Sequence, residues 1–433
     1  MFSGMQVAGG GYERFVRNCG WIALSIYIFS WFFSLDVSRA AEVVFLLCFI
    51  FLWFREPDRK IKYHWVFLVF LAFIAQEVYV YFFAIERFPG FADGQLKASR
   101  HIAKLFLCIA VAWWLRGSVR AAIYLAAIFV AGFLFALLID FDSSQWLMGL
   151  QGHRVDFGFT NAQHTAVYFA MALVFSVCWF WHCYQKSTSL LLLLTPAGLV
   201  ILSVLGVIIT QTRAVWLGCF LAFLLIALVA ILLKKKEALT LLSTPRAGLF
   251  FVLGAMLSVV LLWQFLPLIE KRLEYEREVI EDVVEGNLQN ISYGSIGNRV
   301  NTWRYAIEKI KERPLSGWGG ESRKPLIDEG PFPDWVKRVY GHFHNGYIDI
   351  ILAYGLLGFS LLAILTWVSL RGVFSLWRHG EPVLFFGLLS AWGLFFIVNL
   401  FESYIIFRTG LYTYLVLGGI GLSFYLFGVR RHE

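Results

Sequence analysis

Apolar runs of about twenty residues recur along this chain, and they restrict its fold class before any single residue is considered. Stretches such as 190–209 and 214–233 are continuously apolar and, as helices, are long enough to cross a hydrocarbon layer about 30 Å thick. A segment in lipid must satisfy its own backbone hydrogen bonds, which leaves helices or a closed barrel. Barrel strands alternate apolar and polar positions, and these runs do not. The sequence therefore predicts an all-α integral membrane protein with about twelve transmembrane helices, at roughly 19–35, 40–54, 64–84, 101–116, 119–139, 162–181, 188–209, 214–233, 247–267, 345–369, 382–401 and 409–428. Composition excludes a soluble domain: only 15% of residues are charged, against roughly a quarter in soluble proteins.

Six cysteines lie in or beside these runs, without the spacing to histidines that a zinc site needs. The first 18 residues precede a full-length span without an evident cleavage site, and so are expected to be a retained tail. Orientation follows from Lys and Arg in the short loops. With the N-terminus in the cytoplasm, 17 fall inside, among them Arg14, Arg59, Lys60, Lys234, Lys235, Lys236 and Arg431. Eight fall outside, and the other 12 of the 37 occupy one long polar loop that the rule does not score. Both termini are thus expected in the cytoplasm; in a Gram-negative cell the protein would lie in the inner membrane with its long loop in the periplasm. The chain then divides into spans one to nine (1–266), a periplasmic loop domain (267–343) and spans ten to twelve (344–433). The periplasm supplies no nucleotide sugars, so an enzyme facing it needs a substrate already activated, such as a lipid-linked diphosphate sugar.

The long loop carries signs of order. A mixed-charge helix is predicted over 271–285. A second is predicted from Arg299, capped by Asn298, with Val300, Trp303, Ile307 and Ile310 along one face and an end at Pro314. Gly317-Trp318-Gly319-Gly320 then reads as a turn. Such helices would cover a site at the membrane face.

Several residues at that face suit chemistry. His344 has a side chain able to take a proton from a hydroxyl near neutral pH, although an interfacial histidine also serves simply to bind headgroups. His342 is two residues away and on a helix would not share its face, whereas Asn345 and Asp349 are four apart and form one inward polar patch. Arg213, in the tight connection Thr210-Gln211-Thr212-Arg213, fits either a diphosphate grip or snorkelling to lipid phosphate. Arg299, with Arg304 following, stands where the loop helix is expected to start and to favour an anion; the alternative is a solvated helix face. Arg154, followed by Asn161 and His164, marks a further polar entrance to a span. Asp140-Phe141-Asp142 has the form of a metal-holding pair but ends a span, so helix-end solvation is expected. Without a carboxylate cluster, no metal and no cofactor are expected.

The order His344-Asn345, nine residues, then Gly355-Leu356-Leu357-Gly358 resembles the signature of bacterial O-antigen ligases, within the O-antigen ligase and polymerase superfamily. The run from Arg299 through Trp303 and Pro314 to Gly317-Trp318-Gly319 is similar to a second pattern of that family, and an arginine in the loop of Arg213 is a third. The resemblance implies transfer of a glycan from an undecaprenyl diphosphate donor to a sugar hydroxyl of lipid A-core, with inversion and without metal. It implies His344 as base, Arg213 and Arg299 on the diphosphate, and His342, Asn345, Arg154, Arg304 and Asn161 as substrate contacts. The alternatives are a polymerase or protein O-oligosaccharyltransferase of the same superfamily, or a lipid-linked oligosaccharide flippase. Polar groups at one membrane face and the lack of an internal repeat speak against the flippase. The net charge of +8 suits anionic membrane lipids and gives no support for nucleic acid; no obligate protein partner is inferred.

Overall fold

The computed structural model describes residues 11–186, 189–232, 274, 277–287 and 291–431. The helices used below are α1 (Gly11–Ser30), α2 (Leu35–Phe54), α3 (Val66–Arg87), α4 (Ala92–Ala103), α5 (Cys108–Leu115), α6 (Val119–Ile139), α7 (Ala162–Lys186), α8 (Leu190–Ile209), α9 (Arg213–Leu232), α10 (Arg277–Glu285), α11 (Ser295–Glu312), α12 (Gly346–Arg378), α13 (Pro382–Phe401) and α14 (Arg408–Phe427). Among the described residues, nine helical segments are long and apolar enough to cross a membrane. The chain is a multi-pass membrane protein. Of the other three predicted spans, two are the 20-residue helices α1 and α9, and the one at 247–267 lies outside the described residues. α1 begins at Gly11, not at 19, so that Glu13, Arg14 and Arg17 ride on its first turns and dilute its hydropathy.

The bundle is held at its centre by α14, the most enclosed of the nine, which packs against α12 and α5. Lipid offers no hydrophobic drive for helices to associate, so close backbone approach matters more than in water. Gly372 of α12 and Gly421 of α14 meet at such a crossing: a Cβ on Gly372 would lie 1.8 Å from the Gly421 carbonyl oxygen. Ser369 Oγ donates to the Gly418 carbonyl 3.2 Å away at the same contact. Trp392 and Tyr414 fill the space beside it edge to face, 5.5 Å apart.

α12 departs from the predicted single span. It runs 33 residues and breaks at Gly355, whose φ of 66° and ψ of −177° belong to a region open essentially to glycine alone. A broken helix frees backbone groups that lipid cannot satisfy. Here the loop supplies the partners: Trp318 and Gly319 N–H donate to the Leu352 and Ala353 carbonyls, at 2.9 and 2.8 Å. Leu356 and Leu357 N–H donate in turn to the Pro314 and Leu315 carbonyls, at 2.8 and 3.2 Å. The predicted glycine turn therefore exists to enter this break.

A second core joins the loop to the end of α3 and to α12, formed by Phe88, Ala306, Trp318, Leu326, Ile327, Phe332, Val336, Phe343 and Leu352. The described part of the earlier loop helix is α10. α11 starts at Ser295, one turn before the predicted Arg299, and Asn298 lies inside it. Asn298 therefore does not cap; its Nδ2 donates to Tyr340 Oη at 2.9 Å. The buried face passes through Thr302 and Ala306, while Ile307 is exposed, because Trp303 and Ile310 reach the core from its flank. The helix ends at Glu312, before Pro314 as predicted.

Candidate active site

Two short connections meet to form the site, 340–345 ahead of α12 and 402–407 between α13 and α14. Residues 341–345 are not helical, so alternate side chains face the same way. Phe343 points into the loop core, fully buried. Its carbonyl accepts from Trp303 Nε1 at 2.6 Å and its N–H donates to Asp349 Oδ1 at 3.3 Å. With Phe343 pinned, His342 and His344 emerge on the other side with ring centroids 4.2 Å apart. The expectation that they would not share a face assumed a helix, and fails for that reason. His344 itself has a φ of 50°, a left-handed conformation costly for a residue with a Cβ, and the chain enters α12 directly after it.

Asn345 closes that entry as the N-cap of α12. Its Oδ1 accepts from Tyr347 N and Ile348 N at 3.0 and 3.1 Å. As a substrate contact, then, its carbonyl oxygen is already engaged, and its part is to fix His344. Asn161 does the same for α7, accepting from Gln163 N and His164 N at 2.8 and 3.1 Å. Asp349 is fully buried and accepts from Ser403 Oγ, which ties the start of α12 to the second connection.

Glu402 is the residue that sequence reasoning missed. It ends α13, is almost wholly buried, and receives both histidines. His342 Nε2 lies 2.7 Å from Oε1, and His344 Nδ1 lies 3.0 Å from Oε2. Ser403 N–H donates to Oε1 at 2.9 Å. Burial by itself would raise the Glu402 carboxyl, but the hydrogen bonds from His342 and His344 hold it well below the usual carboxylate range. An ionised carboxylate only accepts, so the ring nitrogens facing it carry the protons. In the neutral rings the lone pair then falls on Nε2 of His344 and on Nδ1 of His342. A carboxylate 58 positions downstream leaves no local spacing signal; an acidic residue where an apolar span ends was the one cue available.

The basic residues gather around the same connection. Arg154 Nε donates to the Thr210 carbonyl at 3.3 Å, and Gln211 Nε2 to the Gly152 carbonyl at 2.6 Å, so the turn leading to Arg213 is fastened to the Arg154 segment. Thr212 Oγ1 reaches the Ala162 carbonyl at 3.3 Å, and Tyr404 Oη the Gln163 carbonyl at 3.2 Å. These contacts lead from Arg213 to the connection that holds Glu402. Burial pushes the Tyr404 hydroxyl up, Glu402 adds to that, and Arg154 and Arg299 act against it; both arginines are therefore near Tyr404. Arg213 begins α9 and is exposed, and Arg299 occupies the second turn of α11, away from the free N–H groups of its start. The anion site expected at that helix start does not include Arg299, which offers its guanidinium alone. Arg304 is exposed one turn further on and, among the described residues, makes no ion pair with the cluster. Asp142 caps the short helix Ser143–Leu150 through Ser144 N and Oγ, at 2.8 and 2.6 Å, which accounts for the Asp140-Phe141-Asp142 stretch.

Residues 197–363 match the family model described as O-antigen ligase. The match supports a member of the O-antigen ligase and polymerase superfamily. It spans less than half of the chain but contains Arg213, Arg299, Arg304, His342, His344 and Asn345. Arg154, Asn161 and Glu402 lie outside it and join the site through the contacts above. The matched family is one of glycosyltransferase-like ligases and polymerases. A search of curated proteins finds no match.

Proposed function

We propose that the protein transfers a glycan from undecaprenyl diphosphate to a sugar hydroxyl of lipid A-core at the periplasmic face of the inner membrane. The observation that carries this reading is the sharing of one buried carboxylate by His342 and His344; Arg154 and Arg299 act on the neighbouring Tyr404. The Glu402 carboxylate orients His344 and stabilises the charge it acquires, while Nε2 takes the proton of the acceptor hydroxyl. The acceptor oxygen forms its bond to the anomeric carbon as the bond from that carbon to the diphosphate oxygen breaks, with inversion. The diphosphate leaves with the electron pair, and Arg213 and Arg299 neutralise the charge that develops. The base's proton and the leaving group's charge are thus handled by protein groups, without metal.

The loop core formed around Trp318 and Phe343 supports a domain that shelters the site, at 267–343. The excess of Lys and Arg in the opposite short loops supports placing that domain in the periplasm. An O-antigen polymerase or protein O-oligosaccharyltransferase would share this chemistry with another acceptor. Purified protein incubated with a polyprenyl-diphosphate glycan and either lipid A-core or a peptide decides among them. Product on lipid A-core alone is expected; glycan on peptide, or lengthening of the donor glycan, would replace the ligase reading.

A further inference from the structure

The three groups that prepare the base also present a ligand set. His342 Nε2, His344 Nδ1 and a Glu402 oxygen all lie within 4.8 Å of one another. We propose that these three residues form an inhibitory site for a divalent first-row transition-metal ion of the zinc type. Zinc holds imidazole nitrogen at about 2.0–2.1 Å and carboxylate oxygen at about 2.0–2.2 Å. A tetrahedral edge built from such bonds is roughly 3.3 Å. Glu402 Oε1 stands 2.7 Å from His342 Nε2 and 3.2 Å from His344 Nδ1, within a few tenths of an ångström of such edges, and the two nitrogens lie within 4.8 Å of each other. Two imidazoles with one carboxylate favour zinc, copper or nickel over magnesium and calcium, which select all-oxygen sets. The Ser403 N–H on Glu402 Oε1 supplies the outer hydrogen bond that steadies a ligating carboxylate. Three protein ligands leave a fourth position open.

The inhibition follows from the tautomer. Without metal, Nδ1–H of His344 faces Glu402 and Nε2 holds the lone pair. With metal on Nδ1, the neutral ring must carry its one proton on Nε2. Nothing is oxidised or reduced; the proton moves from one nitrogen to the other through solvent. The same nitrogen that would accept the hydroxyl proton becomes a donor. Binding depends on the three ligand atoms alone, whereas inhibition rests on His344 as the base of the transfer proposed above.

Purified protein titrated with Co²⁺ and Zn²⁺, the latter against a chromophoric chelator, tests the site directly. One ion per chain and the visible ligand-field bands of low-coordinate Co²⁺ are expected for the wild type. Zn²⁺ affinity should fall in His342→Ala and Glu402→Gln by more than the roughly 10–100-fold that loss of an outer-shell partner costs. Transfer should be suppressed by Zn²⁺, restored by chelator and indifferent to Mg²⁺. Absence of stoichiometric uptake by the wild type, an octahedral Co²⁺ spectrum, or affinity unchanged in both folded variants overturns the site. Uptake without suppression of transfer overturns the inhibitory role. Stoichiometric uptake lost in both variants, by protein inactive towards every acceptor, upholds the metal site and removes the transferase reading instead.

Discussion

The carboxylate of Glu402 stands 3.0 Å from His344 Nδ1 although 58 positions separate the two residues in sequence. Each ends or begins a different helix, so the pair is created by packing α12 against α13, and any loss of that packing removes the orientation of the base.

Glu402→Gln should lower the plateau turnover, by an amount bounded by the ~10²–10⁴ that general-base catalysis typically contributes. Glu402 is held well below its ordinary range by His342 and His344, against the effect of burial, and stays ionised through neutral pH. The Glu402-dependent part of turnover should therefore persist through mildly acidic pH and be lost only as the carboxylate itself becomes protonated. Turnover of the wild type no higher than that of folded Glu402→Gln at neutral pH would exclude the pairing from the reaction.

His344→Ala should abolish proton abstraction while the arginines remain, so turnover falls ~10²–10⁴-fold with donor binding little changed. His342→Ala should cost less, because Glu402 retains His344. Near-normal turnover in well-folded His344→Ala protein would falsify the assignment of the base.

Arg213→Ala and Arg299→Ala should weaken donor binding as well as turnover, since each loses a charge-assisted contact to phosphate. Lysine at either position should restore only part of the loss, because it keeps the charge without the planar fork. Equilibrium binding of a polyprenyl diphosphate separates the two effects; unchanged donor affinity in both alanine variants would leave the arginines with a structural part only.

Gly355→Ala should be severely destabilising. The new side chain meets a backbone conformation costing about 1–3 kcal/mol, and its Cβ would lie 2.1 Å from the Leu315 carbonyl oxygen. Gly341→Ala, with nothing within 4 Å of the added carbon, provides the comparison. Thermal unfolding in detergent should show a clear fall for the first and little change for the second.

The orientation proposed above puts α10 outside the cytoplasm and the end of α12 within it. A cysteine at Glu285 should react with an impermeant thiol reagent in cells whose outer membrane is permeabilised, and one at His379 should not. The opposite labelling pattern would move the site to the cytoplasmic face.

The spans were legible because an apolar run of that length has few folds open to it. His344, Arg213 and Arg299 draw attention in the sequence because polar groups at a membrane edge stand out against such runs. Glu402 was not, since its partner is fixed by tertiary packing and not by spacing. The pairing of His342 with His344 is hidden for the same kind of reason: the rule that separates i and i+2 holds in a helix, and a non-helical turn at Phe343 reverses it. The start of α11 was placed one turn late because Asn298 has the chemistry of a cap, yet its amide is drawn to Tyr340 instead. The break in α12 was concealed within Gly355-Leu356-Leu357-Gly358, where glycines in an apolar run read equally well as close packing.

The four hydrogen bonds between residues 314–319 and the break of α12 also set what it costs to part the loop from the bundle. Lifting that stretch away would strip partners from both the loop and the helix, at roughly 1–3 kcal/mol for each group left dry. The crossing is therefore a fixed point of the fold: the loop and the broken helix each complete the other's backbone, and neither can shift alone without leaving polar groups unsatisfied.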